Sequence, residues 1–228
     1  MKKRILLSLF AISGLLYVAN LNAQNSREYI RNSISGWGEC KNVAITKSNG
    51  DLAIYGRNGW SGSGLPSGMK RALNELNENN EVINDVVLTE NGEWLILYGE
   101  NGLRWSDAPV SLENKLREFN DRRDQITSIT FEDGGRWIII SKEYYAASYT
   151  WIQDWLEEGA NEFGQIWSAC VTSDAMVAVY EGGYKFYGNV PQGLKDALGE
   201  TSLDVYRVKI AGTSWFFADK NGNYRYSM

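Results

Sequence analysis

The stretch Asn49-Gly50-Asp51-Leu52-Ala53-Ile54-Tyr55-Gly56-Arg57-Asn58-Gly59 reads as one β-strand held between two tight turns. The same design returns as Asn91-Gly92-Glu93-Trp94-Leu95-Ile96-Leu97-Tyr98-Gly99-Glu100-Asn101-Gly102, 42 residues further on. Asn-Gly between apolar runs is a strong hairpin signal, because both central residues of a type I′ turn adopt positive φ. A fifth pair, Asn221-Gly222, precedes the last strand. Each unit is therefore predicted as strand, turn, strand, turn, strand.

The segment after the third strand also recurs. The three prolines, Pro66, Pro109 and Pro191, share one repeat position. Three residues after each stands Met69, Leu112 or Leu194, and seven after stands Leu73, Leu116 or Leu198. Proline suits the first turn of a helix, and this apolar spacing gives a short helix a single sticky stripe. In a fourth copy Tyr149 replaces proline, followed by Ile152 and Leu156. The steps from 66 to 109 to 149 to 191 are 43, 40 and 42 residues. A second marker agrees: Leu52, Trp94, Trp137, Met176 and Trp215 open the middle strands at steps of 42, 43, 39 and 39.

One period carried by two unrelated markers defines a repeat protein. The units are 40–81, 82–125, 126–165, 166–204 and 205–228, four of them β-β-β-α and the last ending after its strands. Residues 24–39 are expected to supply the missing helix, since Ile30 and Ile34 stand four apart, like the apolar pair in each of the other helices. The fold class expected is β-rich α+β, with five units of roughly 40 residues in a closed ring; an open array would leave strand edges bare. In its repeat logic the chain resembles β-propellers, although propeller blades normally carry four strands and no helix. An α/β propeller of the pentein kind, five-fold and helix-containing, is the alternative resemblance. Penteins that modify guanidino groups use cysteine and histidine, and this chain has no histidine, so that chemistry is not implied.

The absence of histidine also removes Ser-His-Asp and Cys-His catalysis and histidine-ligated metals. Twenty-three Lys+Arg against 28 Asp+Glu give a net charge of −5, which argues against nucleic acid as a partner. Residues 1–23 read as a secretory signal peptide: Lys2, Lys3 and Arg4 form a positive head, Ile5 to Val18 an apolar run, and Asn20 to Ala23 a polar exit. The expectation is export to the periplasm or the exterior, with residues 24–228 as one domain that does not insert into a membrane. Cys40 and Cys170 fall in units one and four, which are not neighbours in a five-membered ring, and are expected to stay unpaired.

Candidate ligand contacts come from the third strands. Leu103-Arg104-Trp105, Tyr184-Lys185-Phe186 and Tyr224-Arg225-Tyr226 share an apolar–cation–aromatic pattern, which strand alternation turns into a cation on one face and rings on the other. The glycine-rich Gly59–Gly64 reads as an irregular loop exposing Trp60. The expected ligand-binding set is thus Trp60, Arg104, Trp105, Lys185, Arg225 and Tyr226. Trp94, Trp137 and Trp215 read as core, because Leu52 and Met176 hold the same position.

Other motifs lead to no catalytic set. Ser67-Gly68-Met69-Lys70 matches S-x-x-K without its companion motifs. Asp154, Glu157 and Glu158 read as the solvated face of a helix, and Asp219–Asn223 as a hairpin turn. No catalytic, metal or cofactor residues are assigned. The expected function is an exported, non-enzymatic binding protein presenting an aromatic and cationic ring face to a glycan or protein partner. The alternatives are a carboxylate-based polysaccharide hydrolase and a protein inhibitor or accessory protein.

Overall fold

Among the described residues, fifteen strands form five separate antiparallel three-stranded sheets, each a simple meander. The computed structural model describes residues 25–228; the signal peptide expected at 1–23 lies outside the described residues. Helix α1 covers 25–37. Sheet one holds β1 (Asn42–Ala44), β2 (Asp51–Tyr55) and β3 (Gly59–Ser63), followed by α2 (Ser67–Glu78). Sheet two holds β4 (Ile83–Leu88), β5 (Trp94–Tyr98) and β6 (Gly102–Ser106), followed by α3 (Val110–Asp121). Sheet three holds β7 (Ile126–Phe131), β8 (Trp137–Ser141) and β9 (Tyr145–Ala147), followed by α4 (Thr150–Phe163). Sheet four holds β10 (Ile166–Val171), β11 (Ala175–Tyr180) and β12 (Tyr184–Gly188), followed by α5 (Gln192–Glu200). Sheet five holds β13 (Val205–Ala211), β14 (Ser214–Asp219) and β15 (Tyr224–Ser227).

The repeated β-rich arrangement is consistent with a propeller-like architecture. Each sheet buries both faces, and one helix seals the space between successive sheets. Leu52 and Ile54 of sheet one meet Val86, Trp94 and Ile96 of sheet two beneath Met69 and Leu73 of α2. Leu95 and Leu97 meet Ile129, Phe131 and Ile139 beneath Leu112 and Leu116. Ile138 and Ile140 meet Met176 and Ala178 beneath Ile152 and Leu156, and Val177 and Val179 meet Val208 and Phe217 beneath Leu194 and Leu198. The fifth core joins Val43 and Ala53 of sheet one to Phe216 and Ala218 of sheet five, and Ile30 and Ile34 of α1 fill it. Tyr224 donates its hydroxyl to Ile34 O at 3.4 Å across this core. Cys40 and Cys170 are free thiols buried in different cores, and burial pushes the Cys40 thiol up to about 12.

Three local readings are corrected. The Asn-Gly pairs do not make two-residue type I′ turns, because no asparagine in them has positive φ. Leu88 pairs with Trp94 and Tyr98 with Gly102, so the loops hold five and three residues. In the first loop the left-handed position falls on Gly92 alone (φ 87°), whose N–H donates to Thr89 O. Gly102 serves a different need: a Cβ there would lie 2.5 Å from the Tyr98 ring that covers it. Gly59–Ser63 is a strand rather than a loop, and Trp60 pairs with Ile54 and packs half-buried against the core between sheets one and two. Its glycines are required by close approach, since a Cβ on Gly62 would meet Leu65 at 2.6 Å. Finally, each proline stands one residue before its helix, and its carbonyl accepts the first helical N–H, as from Lys70 to Pro66 O at 3.1 Å.

Because Ile30 and Ile34 are both 0% exposed, truncating them should open cavities in the fifth core. Ile30→Ala and Ile34→Ala are each expected to cost about 2–5 kcal/mol by urea unfolding, and Tyr29→Ala on the exposed side of α1 under about 0.5 kcal/mol. Equal, small losses at all three positions would show that α1 is not part of the cooperative core.

Candidate functional site

The first strands of all five sheets converge: β1 contacts β4 and β13, β4 contacts β7, and β10 contacts both β7 and β13. In sheets two to five the first strand carries a bulge, with register shifts between Ile83 and Asp85, Ile126 and Ser128, Ile166 and Ser168, and Val205 and Arg207. A bulge leaves one residue unpaired in the ladder, here Asn84, Thr127, Trp167 and Tyr206, and frees its carbonyl. The residue after each bulge is polar and buried. Asn42, Asp85, Ser128, Ser168 and Arg207 occupy this one position, at steps of 43, 43, 40 and 39, and none is more than 4% exposed.

Asn42, Asp85, Ser128 and Arg207 find partners across the convergence, while the buried Ser168 hydroxyl has none among the described residues. Asp85 Oδ1 accepts from Asn42 Nδ2 at 2.7 Å, Val86 N at 2.8 Å and Lys209 Nζ at 2.9 Å. Its Oδ2 accepts from Ser128 Oγ at 2.9 Å and Ile129 N at 3.0 Å. Arg207 meets no carboxylate and instead donates to the freed carbonyls: Trp167 O at 3.5 Å, Tyr206 O and Asn84 O at 3.4 Å, and Thr127 O. Burial alone would raise the Asp85 pKa, but the Lys209 ammonium, the Arg207 guanidinium and the hydrogen bonds together hold it down at about 2. Two cations thus face one anion in the interior.

At the N-terminal ends of the first strands this surplus opens into a cavity of about 280 Å³. Lys41, Lys142, Arg207 and Lys220 line it, beside Asn84, Thr127 and Tyr206. None of these four cations lies within 4.0 Å of a carboxylate among the described residues. Asp219 also lines the cavity, but its oxygens are taken by Asn221 N, Asn223 N and Asn223 Nδ2 in the hairpin turn. Lys220 Nζ rests 4.7 Å from the Tyr206 ring and 5.0 Å from the Trp167 ring. Burial, followed by the neighbouring Arg207 and Arg57, lowers the Lys41 pKa to about 8 against a partial offset from Glu39, and its ammonium donates to Arg57 O at 3.1 Å.

The opposite ends of the same strands enclose only about 80 Å³, and the charges there are engaged. Glu90 accepts from Ser48 N at 3.2 Å and Ser48 Oγ at 3.0 Å, Glu132 pairs with Arg136, and Lys47 stands 3.7 Å from Asp174. Small-molecule sites usually exceed roughly 300 Å³, so of the two ends of these strands only the cationic one approaches that size.

The six residues picked from the sequence lie elsewhere, on the third strands of four sheets, each separated from the convergence by a middle strand. Arg104 is exposed with its guanidinium 5.4 Å over the Tyr98 ring, and Trp105 donates Nε1 to Glu113 at 2.8 Å. Lys185 donates to Trp155 O at 2.9 Å and is paired with Glu158 at 2.8 Å. Arg225 is exposed, Tyr226 stacks on Tyr224 at 5.8 Å against the fifth core, and Trp60 is packed between sheets one and two. The structure therefore distributes these side chains among separate sheets and gathers Lys41, Lys142, Arg207 and Lys220 instead. A periodic signal for the convergence does exist in the sequence: a polar residue recurs at one fixed position of the first strands. No family model matches the chain, and no curated protein matches it.

Removing one partner of the buried pair leaves an uncompensated charge. Lys209→Met is expected to cost about 3–5 kcal/mol, whereas Lys209→Met combined with Asp85→Leu should cost less than the sum of the single changes. Additive losses in urea unfolding would refute the coupling. The folded Asp85 pKa lies below its ordinary value of 3.8. Its stabilisation, about 2 kcal/mol, is present above roughly pH 4 and lost as pH falls toward 2. That acid dependence should be absent from the double variant.

Proposed function

We propose that this chain is an exported, non-enzymatic binding protein: a closed propeller-like ring of five sheets whose cationic and aromatic end holds an acidic glycan. Closure rests on the pairing of sheet five with sheet one through α1, the fifth core of a set in which every sheet meets two others. The observation that carries the binding reading is the cavity of about 280 Å³ lined by four cations free of carboxylate partners. Folding buries Arg207 and half-buries Lys41 at that end without a carboxylate in direct contact with either among the described residues, Asp85 and Glu39 acting only at longer range, and a ligand anion would supply the direct partner.

A glycan fits better than a protein surface. The cavity is concave and close to the size of one sugar ring, whereas a stable protein contact covers roughly 800 Å² of each partner. The Tyr206 and Trp167 rings, 6.1 Å apart, give a sugar an apolar face to lie on once Lys220 turns toward the acid group. The surrounding protein is acidic, so the local positive field discriminates strongly for anionic partners at this point.

Residues 24–228, screened against acidic and neutral glycans, should retain acidic ones, with binding that weakens as salt rises. Lys142→Ala and Lys220→Ala should each reduce affinity about tenfold, or roughly 1.4 kcal/mol, while Arg104→Ala and Arg225→Ala leave it unchanged. Loss of binding in the outer-strand variants alone would move the site to the third strands. Capture of a protein and no glycan would replace the partner class.

A further inference from the structure

We infer that the acid group received at this cationic end is a tetrahedral oxyanion, a phosphate or sulfate ester, rather than a carboxylate. The inference rests on the proposed anion-binding role of the cavity and narrows it to one chemistry.

Arg207 is the first constraint. The paired N–H groups of a guanidinium recognise carboxylates and phosphates alike, but a tetrahedral oxyanion is also well held by ammonium point charges alone. Arg207 cannot offer that fork, because Nη1 is committed to Trp167 O and Tyr206 O, and Nη2 to Asn84 O and Thr127 O. Turning it outward would strip four bulge carbonyls of a donor. Arg207 therefore acts at this end as a fixed positive charge and not as a two-pronged ligand.

The groups left to touch the anion are ammoniums. Lys41 precedes β1 in sheet one, Lys142 sits in the turn after β8 in sheet three, and Lys220 sits in the hairpin before β15 in sheet five. Three point charges approaching from three sheets suit an anion whose oxygens diverge in three dimensions better than one whose two oxygens share a plane. Lys142 and Lys220 are exposed at the rim, and their flexible stems let them close on the outer oxygens. Lys41 is held deeper, against Arg57 O and beside Arg207, and meets the innermost oxygen. A phosphate or sulfate also matches the charge better, since three lysines and a buried arginine outnumber the single lining carboxylate, Asp219, whose oxygens are engaged in its own turn.

Lys41 makes the binding proton-linked. The charged groups around it are Arg207 from β13, Arg57 from the loop after β2 and Glu39 from the segment before β1, with Lys142, Asp219 and Lys220 across the cavity. An oxyanion at the site favours the charged ammonium, so binding near pH 8 takes up a proton, and affinity falls as the free protein loses that proton at higher pH.

The test is calorimetric titration of residues 24–228 with sodium sulfate, sodium phosphate and sodium acetate at matched ionic strength. Sulfate keeps one charge state between pH 7 and 9, so any change in its affinity over that range belongs to the protein. Sulfate and phosphate are expected to bind at least about tenfold more tightly than acetate, with Lys41→Ala, Lys142→Ala and Lys220→Ala each weakening them several-fold. Sulfate affinity should fall between pH 7 and 9 in the parent and stay level in Lys41→Arg. A preference for phosphate over sulfate assigns the ester to phosphate, and the reverse assigns it to sulfate. Acetate binding as tightly as sulfate overturns the oxyanion class while leaving an anion site in place. Failure of all three anions, together with failure of acidic glycans, removes the anion-binding reading itself.

Discussion

A buried carboxylate with five donors fixes which sheet stands beside which. The groups that reach Asp85 come from β1, β4, β7 and β13, so its charge is compensated only when four sheets are assembled. Arg207 adds sheet four as the fifth member of this set, because the carbonyls it binds belong to β4, β7, β10 and its own strand. The apolar cores do not carry the same information. Leu, Trp and Met exchange at one position from repeat to repeat, and such surfaces match several neighbours nearly as well. Hydrophobic burial drives the sheets together, while the polar centre selects their order.

The same centre makes one unit electrostatically unlike the others, because Arg207 and Lys209 occur at these positions only in the last copy. Their combined charge exceeds that of Asp85, and Arg207 is felt at Lys41. At the other end the turns hold one another through Glu90, Asp133 and Asp174, leaving little free charge and little space. A protein of net charge −5 acquires one positive spot.

Much of the architecture was legible because the features that set it are periodic. The Met69/Leu73-type stripes and the Trp94-type anchors recur in each unit, and all are buried. Turn geometry was less legible, since Asn-Gly marks a reversal without fixing whether the loop has two, three or five residues. Trp60 was misread because glycines signal loops as readily as strands in which backbones or rings approach closely. The candidate site was missed for a further reason. Amphipathic third strands advertise their cations, whereas Asn42, Asp85, Ser128, Ser168 and Arg207 are polar residues buried in the first strands. Repetition exposes what the units share, but the chemistry lies in the charges that the last copy does not share with the others.

The most direct test is the position of a heavy oxyanion in crystals of residues 24–228 grown with selenate, located by anomalous scattering. The account predicts one strong peak at the N-terminal ends of the first strands, among Lys41, Lys142 and Lys220 and outside Arg207. A peak confined to the outer strands near Arg104 or Arg225, with nothing at the convergence, would contradict it.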